Sequence, residues 1–238
     1  MECRPLMPAV VEFDLRSSHR LIPTEFRLKT AFREVANEVE ADDADLIASA
    51  TGLSQQQNSA GLRGISHREL VYGVPNVDIV RNSFRFAGDG GRFRDRARGA
   101  WYAADHENVS INEVAYHLVT RLNTSRGIQV SKVDFLYDDW QAGFHADFYC
   151  LDSTTRYAKH LLPEPVPRCY AAGQELARSI LLKGGNGILY PSVHFMDSLC
   201  IACFRPALVY RPRLKDFYIL TIALESSGGY QVFHARRK

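Results

Sequence analysis

Residues 91–117 read GRFRDRARGAWYAADHENVSINEVAYH, and how this stretch folds decides the class of the whole chain. GAWYAA (99–104) is a short apolar run with strand character. Asp105 or Ser110 can cap a helix after it, in which Val114, Leu118 and Leu122 recur at i, i+4 and i+8. Glu113 precedes that stripe by one position and so sits about 100° round the helix, at the edge of the core where a cleft wall would lie. Arg92 follows the glycine turn GDGG, beside Phe93. Its planar fork of donors next to flexible backbone suits a phosphate or pyrophosphate. The stretch thus predicts a strand followed by a helix, with Arg92, Tyr102 and Glu113 facing one pocket.

Working outward, strand character recurs in residues 77–87, 130–138, 143–151, 187–194, 199–210 and 216–225, and SSGG turns the last into a terminal strand at 230–237. Helical patterns occupy 24–52 and 171–185, the second closed by Gly184. Residues 1–19 read as a loosely packed arm and 53–64 as a polar loop, and Pro163, Pro165 and Pro167 form a stiff connection. Strands outnumber helices and do not alternate with them regularly. The expectation is an α+β fold, with residues 20–238 as one domain built on a central mixed or antiparallel sheet flanked by helices.

The 238 residues suffice for a substantial core, and a formal charge of +2 argues for neither nucleic acid nor membrane. No apolar stretch approaches the roughly 20 residues of a membrane span. The N-terminus lacks the apolar segment of a secretory signal. Five cysteines without framework spacing suit a reducing compartment, so a cytoplasmic protein is expected.

Several signals have two readings. Ser110-Ile-Asn-Glu113 fits a capping box, which would give Glu113 a purely structural task. Arg94, Arg96 and Arg98 read as a solvated basic loop. Cys200 and Cys203 lie in a strand, where residues three apart face opposite ways, so core cysteines are expected rather than a redox or zinc pair. Ser192 lacks the G-x-S-x-G elbow of serine hydrolases. The histidines at 67, 106, 117, 145 and 160 have no metal spacing, and no metal ligands are expected.

In combination, RF…GAWYAA…NEVAYH and GGNGILYPSVH…CIACFRP resemble the RES-domain family, the toxins of bacterial RES–Xre toxin–antitoxin pairs. LIPTEFRLKTAFREVA also looks like that family's N-terminal entry, so the resemblance covers roughly residues 20 to 230. It implies an ADP-ribosyltransferase-like fold and an enzyme that consumes NAD as its substrate, with no further cofactor. The outcome would be hydrolysis, phosphorolysis, or transfer of ADP-ribose to a protein or small-molecule target. The family's functional residues fall on Arg92, Tyr102, Glu113 and Ser192, with Arg92, Tyr102, Ser192 and His194 binding NAD. His194 stands where an arginine usually follows the serine, and RDRARG replaces an acidic-glycine turn. The resemblance also implies a cognate Xre-like antitoxin, through which alone the protein would meet nucleic acid. From another class, the arginine loop suggests a non-catalytic protein that binds nucleic acid or an anionic partner.

Overall fold

The computed structural model describes residues 7–25, 65–66, 69–85, 90–124, 131–152, 157–162, 168–193, 195, 197–225 and 229–237. The helix expected over 24–52 falls within this set only at Thr24 and Glu25. The loop at 53–64 and the three prolines at 163, 165 and 167 lie outside it.

Seven strands form one mixed sheet: β1 (Ala9–Pro23), β2 (Trp101–Ala104), β3 (Lys132–Cys150), β4 (Gly187–Pro191), β5 (Leu199–Cys203), β6 (Tyr210–Leu224) and β7 (Tyr230–Arg236). Their order is β1-β2-β5-β4-β3-β6-β7, and β1 also pairs with β3. The first five therefore close into a ring of paired strands, from which β6 and β7 extend. Only β3–β4 is parallel. Among the described residues there are three α-helices: α1 (Val77–Arg85), α2 (Glu107–Thr124) and α3 (Ala171–Leu182). The expected α+β class and single mixed sheet are what the chain adopts. No described helix is long and apolar enough to cross a membrane.

Alternation along the strands sorts side chains into separate cores. Trp101, Ala103, Leu189, Ile201 and Cys203 join Phe144 and Phe148 on one face. Ala104, Ile188, Tyr190, Cys200 and Ala202 point the other way, against Leu176 and Ile180 of α3. The two cysteines of CxxC thus lie in different cores, as period-2 geometry demands, and both are free thiols. A third core packs Ile111, Ala115 and Leu118 of α2 on Tyr218, Leu220 and Ile222 of β6.

Four expectations need correction. The strand expected over 199–210 ends at Cys203, a short 3-10 turn follows at Pro206–Leu208, and β6 begins at Tyr210. Residues 77–85 are helix, not strand. Ile79, Val80, Ser83 and Phe84 are the buried positions, a spacing that fits one helical face and not one strand face. Asp78 sits in the first turn, where the helix dipole favours a carboxylate. The alternating N-S-F-R-F-A is a local pattern that packing overrides. The arm expected at residues 1–19 is, from Ala9 onward, part of β1, which pairs with β3 from Ala9↔Cys150 to Pro23↔Tyr137. The two strands expected at 130–138 and 143–151 are one continuous β3. Its register shifts against β6 between Asp139 and Trp140 and again between Gln141 and Gly143. In both places the extra residue belongs to β6, so β3 runs on unbroken and its plain alternation sends Trp140, Ala142 and Phe144 to the core.

Candidate active site

Glu113 lies on α2, which starts at Glu107. Ser110 is therefore inside the helix rather than at its cap, and its hydroxyl donates to the His19 carbonyl at 2.6 Å. The first-turn amides of Val109 and Ser110 bond the His106 carbonyl instead. The capping-box reading of Glu113 falls with this geometry. Asp105 extends the β2–β5 ladder: its N–H donates to the Leu199 carbonyl, and its carboxylate accepts the Leu199 N–H at 3.2 Å.

What Glu113 meets is Ser192, whose hydroxyl donates to its carboxylate at 3.1 Å. Ser192 follows the end of β4 at Pro191, one residue past the strand. Its N–H bonds the Ser198 carbonyl, and its side-chain oxygen accepts the Phe195 N–H at 3.1 Å. These contacts set the hydroxyl's orientation. Two residues 79 positions apart are thus joined, one just past β4 and the other on α2.

Around this pair lie groups kept neutral. Burial raises the Tyr190 phenol well above its ordinary pKa, and the neighbouring Cys200, Glu113 and Tyr102 add to the effect. Burial likewise pushes the Cys200 thiol up, with the Glu113 carboxylate reinforcing it. Tyr190 also packs edge-on against Phe93, with ring centroids 4.9 Å apart.

Tyr102 accepts the Phe93 N–H at 2.8 Å, which anchors the arginine turn to β2. Burial raises the Tyr102 phenol, and Arg94, the Phe93 N–H, Arg92 and Arg20 pull the other way. The turn closes through a Gly91–Arg94 bridge. Gln174, in the first turn of α3, donates to the Gly91 and Arg94 carbonyls at 3.0 and 3.1 Å. At Gly173 an added Cβ would strike the Arg92 carbonyl oxygen, so only glycine lets α3 approach the turn this closely.

The four arginines do not share one solvated face. Arg92 donates to the Leu162 carbonyl at 2.6 Å and the His160 carbonyl at 3.3 Å, with its guanidinium 5.4 Å from the centre of the Tyr170 ring. Arg94 lies over Tyr102, 5.8 Å from the ring centre. Arg96 is exposed. Arg98 pairs with Glu69 at 2.7 Å, and Arg205 of the FRP segment reaches the same Glu69 oxygen at 2.6 Å. The solvated-loop reading therefore fails for Arg94 and Arg98, because both turn inward against other segments.

The structure thus brings together Glu113 and Ser192 directly, with Tyr102 and Arg92 acting on the same group of side chains. His194 lies outside the described residues. Sequence reasoning missed Arg20 and Tyr190. Arg20 donates to the Ala100 and Tyr102 carbonyls, both at 3.3 Å, and stacks over Trp101. Burial, then Arg94, lower its pKa to about 9, which still leaves it charged at neutral pH. The signal for Arg94 was present, since an extended backbone puts residues 92 and 94 on one face.

The sequence profile of the RES domain matches residues 70–221, well over half of the chain and including Arg92, Tyr102, Glu113 and Ser192. No curated protein matches the chain. Among solved structures, the chain is similar to one in the crystal structure of the M. tuberculosis MbcT–MbcA toxin–antitoxin complex, with a TM-score of 0.43 and 9% identity over 87% of this chain and 85% of that one. On the extent of the profile match, this chain belongs to the RES domain family.

Proposed function

We propose that the protein is a RES-type toxin that cleaves the N-glycosidic bond between nicotinamide and ribose in NAD, by hydrolysis or phosphorolysis, and so depletes NAD. The observation that carries this reading is the Ser192–Glu113 hydrogen bond, which fixes a carboxylate beside phenols and a thiol that burial keeps neutral. The nicotinamide of NAD is already cationic, so it departs as a neutral molecule without a general acid. Positive charge develops on the ribose instead, as in glycoside cleavage. One carboxylate is enough to stabilise it, and Glu113 is that carboxylate.

In this reading Ser192 orients Glu113 and hydrogen-bonds the nicotinamide ribose. Tyr102 flanks the nicotinamide ring. Arg92, with Arg94 and Arg20 adding positive field behind Tyr102, attracts the pyrophosphate. The test is incubation of purified protein with NAD, with and without inorganic phosphate, following free nicotinamide and the fate of labelled ADP-ribose. Nicotinamide release with free ADP-ribose or its phosphate ester supports the proposal. Label on a protein or small-molecule acceptor would move the reading to ADP-ribose transfer, and no release would overturn it.

An enzyme that drains NAD harms its host, so the same reading includes a cognate Xre-like antitoxin that covers the cleft. Inhibition of this kind makes NAD and antitoxin weaken each other's binding by the same factor. The measurement is antitoxin affinity with and without saturating NAD.

A further inference from the structure

Beneath the first turn of α2, three side chains from distant segments converge: His19 of β1, Glu107 of α2 and Asp139 of β3. One ring nitrogen and one oxygen from each carboxylate all lie within 4.8 Å of one another. Asp139 is fully buried, and its Oδ2 accepts from His19 Nδ1 at 2.8 Å. Its other oxygen, Oδ1, is also buried and has no hydrogen-bond partner among the described residues. A carboxylate with no access to water and half its acceptor capacity unused is costly unless a cation or donor meets it.

The surroundings meet only part of that need. Glu107 accepts from the Tyr218 hydroxyl at 2.9 Å and from Arg236 Nη2 at 3.0 and 3.1 Å. Those contacts balance Glu107 from the outside and leave it lone pairs to spare, since a carboxylate has about four acceptor sites. Gln141 lies 3.3 Å from the other ring nitrogen of His19, and Arg213 in turn donates to Gln141 Oε1 at 3.0 Å. With its oxygen held by Arg213, Gln141 presents its amide nitrogen to the ring, so Nε2 accepts and the ring proton sits on Nδ1, towards Asp139. Among the described residues, His19 is the cationic group that reaches Asp139, and it is charged only when its ring is protonated.

We propose that His19, Glu107 and Asp139 bind one divalent transition-metal ion of the zinc class, with water completing the coordination. Imidazole and carboxylate ligands at about 2.0–2.2 Å are the donor types such an ion takes, and the three side chains would draw in by roughly 1 Å to reach it. The ion would replace the proton shared between His19 and Asp139 and give the buried carboxylate its missing counter-charge. It would also tie β1 and β3 to the start of α2, the helix that carries Glu113. Residues 19, 107 and 139 have no motif spacing, so only the fold assembles the site.

The test uses the full chain, stripped with a chelator and titrated with Co²⁺ as an optical probe and with Zn²⁺ in thermal melts. The expected result is one equivalent of Co²⁺ with visible ligand-field absorption, and a higher melting temperature with Zn²⁺. Glu107→Gln keeps an acceptor for Tyr218 and should weaken Co²⁺ binding at least tenfold. Asp139→Asn should do the same, and if it fails to fold, Glu107→Gln and His19→Gln carry the test. Absence of stoichiometric binding, or binding that persists unchanged in Glu107→Gln and His19→Gln, would overturn the proposal and leave a hydrogen-bonded pair.

Discussion

Replacing Glu113 by Gln separates the charge of this residue from its shape. The side chain keeps its length, its helix propensity and an oxygen able to accept the Ser192 hydroxyl, which now donates to the carboxylate at 3.1 Å. Loss of folding stability should therefore stay within about 1 kcal/mol, the difference between a charged and a neutral acceptor in one hydrogen bond. Loss of transition-state stabilisation should be far larger. A unit charge about 4 Å from a developing ribosyl cation, at an effective dielectric near 20, contributes about 4 kcal/mol, or roughly a thousandfold in rate. The assay is nicotinamide release under saturating NAD, run beside a thermal melt of the same preparation. Turnover within about threefold of the unaltered protein would refute the argument. So would a melting temperature so depressed that unfolding accounted for the loss.

Three further outcomes follow from particular contacts. Ser192→Ala removes the donor to Glu113 and the acceptor of the Phe195 N–H; a fall in kcat of about tenfold is expected, corresponding to one hydrogen bond to a charged group, and an unchanged kcat would show that Ser192 does not position Glu113. Gly173→Ala sets a methyl against the Arg92 carbonyl, and overpacking of this kind costs about 1–3 kcal/mol; a lowered melting temperature with a raised KM for NAD is expected, and an unchanged KM would detach the arginine turn from substrate binding. Burial pushes the Glu69 carboxyl up, but hydrogen bonds from Arg98 and Arg205 more than offset this and hold its pKa at about 2. Because the folded-state value lies below the unfolded one, near 4.3, Glu69 contributes stability above about pH 4.3 that is lost as pH falls towards 2. Glu69→Gln should flatten melting temperature against pH in that window, and parallel curves for the two proteins would count against the pairing.

The sequence alone determined what depends on neighbours close along the chain. GAWYAA had to be a strand and ENVSINEVAYHL a helix, because apolar period and turn residues are local signals. Alternation placed Cys200 and Cys203 on opposite faces before any coordinate was known, and the blocks around Arg92, Tyr102, Glu113 and Ser192 identified the family. Tertiary structure decided whatever rests on partners far apart in the chain. Residues 77–85 became helix because Ile79, Val80 and Phe84 fit the core of the strand ring, against their local alternation. Residues 9–23 became a strand because β3 offered them a partner along its length. Glu113 ceased to be a cap because α2 begins three residues before Ser110, where Asp105 is held by Leu199 across the sheet. Arg98 left solvent because Glu69 and the Phe204 carbonyl lie where it turns. In each case the local preference is worth tenths of a kcal/mol to about one, whereas burying one large apolar side chain or satisfying one buried charge is worth about 2 kcal/mol or more. The long-range term is therefore the one that settles the structure.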